Sequence, residues 1–263
     1  MDAVKVKEHI VNWLKDYLAE SGAKGYVIGV SGGIDSAVTS ALAAETGLPL
    51  LCVEMPIYQE VYQVERAKQH IESLKENYPN VSSVETELTP VFDTFLKAVP
   101  KEEDDERYNM SLVNTRSRLR MTTLYYFAAL KGYLVLGTGN KVEDFGVGFF
   151  TKYGDGGVDL SPIADLVKTE VYELGEILDI NERIMLAAPT DGLWGDDRTD
   201  EDQIGATYPE LEWAMDVADK GVVDFTSFTP RQQEVFAIYT RLNTANQHKM
   251  EPIPVCKIPA NLK

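Results

Sequence analysis

Only 2 cysteines stand among the 263 residues, and Cys52 and Cys256 lie far apart with no C-x-x-C spacing. This argues against a disulfide framework and against a structural zinc site. Cys52, in LLCVEM, reads as core. Basic charge is scarce too: 25 Lys and Arg against 42 Asp and Glu give a net charge of -17. No broad cationic field exists for a nucleic-acid backbone or an anionic membrane, so neither is an expected partner. Long apolar runs are missing, since none approaches the ~20 residues of a membrane span. The N-terminal MDAVKVKEHIVNWLKDYLAE is amphipathic and mixed in charge, which fits neither a signal peptide nor an anchor. A cytoplasmic protein is expected. Any polyphosphate ligand must then be met by local basic residues, backbone amides and a metal ion.

What is present is an order of alternating elements. Val4, Ile10, Val11, Leu14 and Leu18 keep helical spacing up to Gly22. A buried strand is expected over 26–30, a helix over 36–45 and a second strand in LPLLCVEMP, of the continuous apolar type found in parallel sheets. Val61, Val64, Ala67, Ile71 and Leu74 mark a third helix, followed by the strand-like VSSVETEL, the short helix TPVFDTFLKAV and a charged loop, KEEDDER. A long helix over 109–131 and the strand YLVLGTGN follow. This order predicts an α/β fold, an open parallel sheet with helices on both faces. One domain over 1–263 is expected, with the C-terminal third as added helices. In such sheets ligands sit beyond the carboxyl ends of the strands, where both glycine turns fall.

The first of these turns lies in VIGVSGGIDSAV, residues 27–38. Its glycines let the backbone approach a phosphate, and Ser31 and Ser36 add hydroxyls. No lysine follows Gly32 or Gly33, so the G-x-x-x-x-G-K-[ST] loop is absent. Asp35 cannot favour a bare anion; it makes sense as the ligand of a divalent cation such as Mg²⁺. An ordinary strand-to-helix turn with an acid in the first helical turn also accounts for these residues.

The S-G-G-x-D-S segment after a buried strand resembles the pyrophosphate-binding loop of the N-type ATP pyrophosphatases. The second half is more specific. GTGNKVEDFGVGFFTKYGDGGVDLSPIADLVKTEVYELGEIL, residues 137–178, resembles the middle segment of the ammonia-dependent NAD synthetases. RSRLRM at 116–121, PTDGLW at 189–194, TDEDQIGATY at 199–208 and HKM at 248–250 match in the same order.

The resemblance implies a Rossmann-like, adenine nucleotide alpha-hydrolase-like fold. It implies a ligase forming a C–N bond: ATP-dependent amidation of nicotinic acid adenine dinucleotide (deamido-NAD) by ammonia, through an adenylated intermediate, giving NAD, AMP and pyrophosphate. It further implies that ATP is bound by Gly29, Val30, Ser31, Gly32, Gly33, Ile34, Asp35, Ser36, Thr138, Lys168 and Thr190. Arg118, Lys152, Asp159, His248 and Lys249 are implied for the dinucleotide, and Asp35 and Glu143 for Mg²⁺. The stretch from Glu143 to Thr151 is one residue longer than the family spacing, which leaves Asp144 as an alternative ligand. Asp35, Lys168 and Asp159 are the expected catalytic groups, with Asp159 or a nearby acid either deprotonating ammonium or orienting ammonia. Two further readings stand beside this one: another ATP-pyrophosphatase amidotransferase or ligase, and a catalytically silent nucleotide-binding relative.

The chemistry is coherent in its own right. A carboxylate carbon is a poor electrophile and oxide a poor leaving group; adenylation replaces that oxide with AMP. Only 28 residues precede Gly29 and 13 follow Met250, too few for an amide-hydrolysing domain. Free ammonia is the expected nitrogen source, unless a separate glutaminase chain docks. The resemblance also implies a homodimer whose dinucleotide site is shared between subunits. Residues 141–163 and 189–208 are expected to act as lids that order over the ligands. His9 and His70 carry no expected role, and Tyr125, Tyr126 and Phe127 are expected in the core or at a subunit interface.

Overall fold

A computed structural model describes residues 1–100, 105–190, 199–221 and 225–263. The chain opens with α1 (Ala3–Ser21), started by the Asp2 carboxylate accepting from the Lys5 amide and ended by Gly22 at φ 71°. Then follow β1 (Tyr26–Gly29), α2 (Ile34–Glu45), β2 (Leu50–Glu54), α3 (Val61–Asn77), β3 (Val81–Glu85) and α4 (Thr89–Ala98). Next come α5 (Glu106–Lys131), β4 (Leu134–Leu136), a π-helical turn (Val142–Val147) and α6 (Lys168–Ile177). The C-terminal part holds α7 (Glu182–Met185), α8 (Asp200–Ile204), α9 (Tyr208–Asp219) and α10 (Pro230–Met250).

The four strands form one parallel sheet in the order β3-β2-β1-β4. Tyr26 of β1 lies opposite Leu50 of β2 on one side and Leu134 of β4 on the other. β2 is buried along its whole length, as its unbroken apolar run requires. One face packs Leu14, Ile28, Val38, Leu42, Ile71 and Leu174 into a core with α1, α2, α3 and α6. The other packs Val27, Val53, Phe92, Leu124 and Val135 against α4 and α5. Cys52 is buried in the first of these, and burial pushes its thiol up to about 12, so it is an inert core residue.

A separate apolar cluster joins Val142 and Val147 of the π turn to Leu211, Val235, Phe236 and Tyr239 of α9 and α10. The C-terminal helices are therefore fastened to the segment that follows β4. The strands are shorter than the sequence reading, and two helix starts differ from it. α2 begins at Ile34, two residues before Ser36, because Gly33 already supplies the extended N-cap. The loop expected in KEEDDER, of which 101–104 lie outside the described residues, ends at Asp105: its carboxylate accepts from the Tyr108 amide at 2.8 Å and starts α5 at Glu106.

Candidate active site

The turn after β1 is tied to itself. The Ser31 amide donates to Ser36 Oγ at 3.2 Å, and Ser36 Oγ donates to the Gly33 carbonyl at 3.0 Å. Gly32 has φ +84°, and a Cβ there would lie 2.8 Å from the Gln63 carbonyl of α3, so only glycine fits between loop and helix. No side chain caps α2. Its first amides remain available to an anion, as the composition of the turn predicted.

Asp35, in the first turn of α2, is reached by two residues from distant parts of the chain. Lys168 Nζ, at the start of α6, donates to Asp35 Oδ2 at 2.6 Å and to Glu143 Oε1 at 3.0 Å. Asn140 Nδ2 donates to Asp35 Oδ1 at 3.2 Å, while its carbonyl oxygen accepts from the Val142 and Glu143 amides. The Lys168 side chain is only 3% exposed. Burial alone would lower its pKa, but the Asp35 and Glu143 carboxylates outweigh that and raise it, so the ammonium stays charged. Burial likewise pushes Asp35 up, against the pull of Lys168.

Tyr208 completes the cluster from the N-terminus of α9. Its hydroxyl donates to Glu143 Oε1 at 2.5 Å, and its ring lies 4.6 Å from Lys168 Nζ. Burial and the nearby Glu143 and Asp200 carboxylates raise the phenol, which keeps it a donor. Tyr208 and Asn140 were not among the expected site residues. Their signal was present, since both stand inside motifs quoted above, but the pattern does not say which motif member points inward.

Residues Val142–Val147 form a π turn, a helical turn widened to i→i+5. This turn separates the alternative ligands. Glu143 faces Asp35 through Lys168, whereas Asp144 lies under Gly139, where a Cβ would come within 2.2 Å of its carboxylate. Burial, reinforced by Glu143, pushes Asp144 up to about 8.

The residues expected to hold the second substrate assemble around 148–153. Arg118 Nε of α5 donates to the Lys152 carbonyl at 3.3 Å, and Lys152 Nζ donates to the His248 carbonyl of α10. Lys249 Nζ donates to the Gly148 and Phe150 carbonyls at 2.8 and 2.9 Å, and burial lowers its pKa. Asp155 fastens this loop to α5 by accepting from Ser117 Oγ at 2.6 Å and from the Thr151 amide at 3.0 Å. A cavity of about 160 Å³ opens beside this second group; Gly137, Gly139, Asp144, Asp155 and Lys249 are among the residues lining it.

One expected residue is engaged elsewhere. Asp159 accepts from Tyr125 Oη at 2.9 Å and from the Val135 amide at 2.8 Å, so both its oxygens serve the sheet edge. Thr138 lies in the turn between Gly137 and Gly139 after β4, and Thr190 directly precedes 191–198, which are outside the described residues. Tyr126, expected in the core or at an interface, is 61% exposed.

Residues 6–253 match the NAD synthase family. The chain belongs to that family. It is 37% identical over 228 residues to the NH(3)-dependent NAD(+) synthetase of Carboxydothermus hydrogenoformans, covering 86% of this chain and 90% of that one. The protein of the same name from Syntrophomonas wolfei is 35% identical, with both chains covered in full. Among solved structures, an NMN synthetase from Francisella tularensis has a TM-score of 0.81 at 32% identity, covering 99% of each chain. An NH3-dependent NAD synthetase from Campylobacter jejuni has a TM-score of 0.77 at 25% identity, covering 98% of this chain and all of that one. As an NAD synthase family member, the chain has the α/β architecture of these structures. No helix among its described residues is long and apolar enough to cross a membrane.

Proposed function

We propose that the protein is a C–N ligase that amidates nicotinic acid adenine dinucleotide with ammonia at the expense of ATP, the last step of NAD biosynthesis. The observation that carries this reading is the Asp35, Lys168 and Glu143 cluster beside an uncapped, glycine-built helix start. A phosphate chain bound at residues 29–36 places its leaving end on the α2 amides. The nicotinate carboxylate attacks the α-phosphorus, the α–β bridge breaks, and pyrophosphate departs. Ammonia then attacks the acyl carbon; AMP leaves with the former carboxylate oxygen and a proton is released. Lys168, held charged, stabilises the growing negative charge on the phosphates. Thr138 and Thr190 are proposed as further ATP contacts.

Among the described residues no three His, Cys, Asp or Glu side chains converge on one point. Asp35 and Glu143 nevertheless fit Mg²⁺, which is commonly bound by one or two carboxylates together with substrate phosphates. An ammonium already bridges the same two oxygens, so the position accepts a cation. When bound there, Mg²⁺ would neutralise phosphate charge. Arg118, Lys152, His248 and Lys249 are proposed to hold the dinucleotide, with Asp159 keeping the floor beneath it. A homodimer in the cytoplasm is part of the same reading; a monomeric active species in light scattering contradicts it.

The likeness to the Francisella NMN synthetase favours a second acyl substrate, nicotinic acid mononucleotide, at the same site. Competing the two acids in one assay with ATP, Mg²⁺ and ammonium distinguishes them. NAD outpacing the amidated mononucleotide supports the first reading, the reverse supports the second, and neither amide from folded protein refutes both.

A further inference from the structure

The phosphate loop rests on α3, and a cavity lined by two arginines opens beside that contact. The helix residue under Gly32 is Arg66: a Cβ on the glycine would lie 3.3 Å from Arg66 Cβ and 3.0 Å from the Ala67 amide nitrogen. Arg66 and Arg183, from α3 and α7, line the same space of about 280 Å³ with Tyr62, Glu65, Leu186 and Ala187. Arg66 Nε is buried and has no hydrogen-bond partner among the described residues, and the guanidinium carbon lies 5.4 Å from the Tyr62 ring centre. Arg183 Nη1 makes one long contact, to Gln69 Oε1 at 3.5 Å. Among the described residues neither arginine is salt-bridged to an acid, in a chain whose net charge is -17.

Charge balance gives this cavity a task. At the loop itself, two carboxylates face one ammonium, so the Asp35 cluster is net negative before ATP arrives. The loop holds no lysine or arginine. A triphosphate bound there carries several negative charges, and those farthest from the ribose need cations beyond Lys168. Guanidinium groups suit phosphate oxygens because their planar donors engage two oxygens together.

We propose that Arg66 and Arg183 form a pyrophosphate subsite, which receives the terminal phosphate of ATP and keeps hold of pyrophosphate after the α–β bond breaks. This rests on the reading that ATP is cleaved between those phosphates. Glu65 lies at the same cavity and limits how tightly pyrophosphate is retained, which lets the product leave.

Titration calorimetry with inorganic pyrophosphate and Mg²⁺, on wild type and on Arg66→Ala and Arg183→Ala, tests the site. Each substitution is expected to weaken pyrophosphate binding about tenfold or more while AMP binding stays within about twofold. Arg66→Lys, which keeps the charge but loses the fork, should fall between wild type and alanine; it and Arg183→Ala carry the test if Arg66→Ala does not fold. Wild-type protein that binds no pyrophosphate, variants that bind it within about twofold of wild type, or equal losses for AMP and pyrophosphate each overturn the proposal. If no amide forms but the arginine variants lose pyrophosphate, the assigned reaction fails and the subsite stands. If the amide forms and pyrophosphate binding is unchanged, the subsite fails and the reaction stands.

Discussion

The cations of the Asp35 cluster and those around 148–153 have different partners. Lys168 is enclosed between two carboxylates, whereas Arg118, Lys152 and Lys249 donate to main-chain carbonyls. Carboxylate partners neutralise Lys168 in the empty site and fix its geometry before any ligand binds. Carbonyl partners orient a lysine without cancelling its charge, so the second group keeps its attraction for an anionic dinucleotide. The first cluster is built for chemistry on a phosphate chain that brings its own cation; the second is built for binding. Breaking the first should cost stability and turnover, and breaking the second should cost affinity.

The largest effect is expected from Lys168→Met in Mg²⁺-free buffer. Two buried carboxylates lose their counter-charge, a loss of about 3–5 kcal/mol in urea unfolding. Added Mg²⁺ should restore part of it, more than it stabilises wild type; an unchanged midpoint would show that the cluster is not held by charge. Asp35→Asn keeps the shape and removes the charge, so kcat should fall about 10²–10³-fold while the KM for the dinucleotide holds. Steady-state kinetics with intact turnover would remove Asp35 from the mechanism.

The pH profile sharpens the contrast from beneath the loop. His70 is buried, with Nε2 2.8 Å from Ser40 Oγ of α2, and burial lowers its pKa from 6.5 to about 4. The unfolded chain takes up this proton near 6.5 and the folded chain only near 4. Its contribution to stability is therefore complete above 6.5 and is lost as pH falls through 4, about 3 kcal/mol in all. His70→Gln should flatten the stability profile across that window; a profile parallel to wild type would contradict it. The smallest effect is expected on the binding side. Lys249→Met should raise the KM for the dinucleotide about tenfold with the KM for ATP unchanged. Equal changes in both would mean that the two groups act as one site.

Local patterns announced the strands, the glycine turn and the acid within it, because each depends on neighbours a few residues apart. The apolar run 50–54 and the Gly32 turn are where the sequence places them. Lys168 was expected at the phosphates, but its enclosure by Asp35 depends on a contact across 133 positions that only the closed sheet creates. Tyr208 and Asn140 escaped for the same reason: phenol and amide side chains announce nothing until the fold directs them. The choice between Glu143 and Asp144 was open in the sequence, because the π turn that parts them is a property of helical geometry. Arg66 had no motif around it at all, and its placement against Gly32 comes from packing of α3 on the loop.

The central claim is that the substrate carboxylate is joined to AMP before ammonia displaces it. Dinucleotide labelled with ¹⁸O in that carboxylate, turned over with ATP, Mg²⁺ and ammonium, tests this through the ³¹P signal of the products. The account predicts one ¹⁸O on the AMP phosphorus and none in pyrophosphate. Label in inorganic phosphate, with ADP as the nucleotide product, would contradict it.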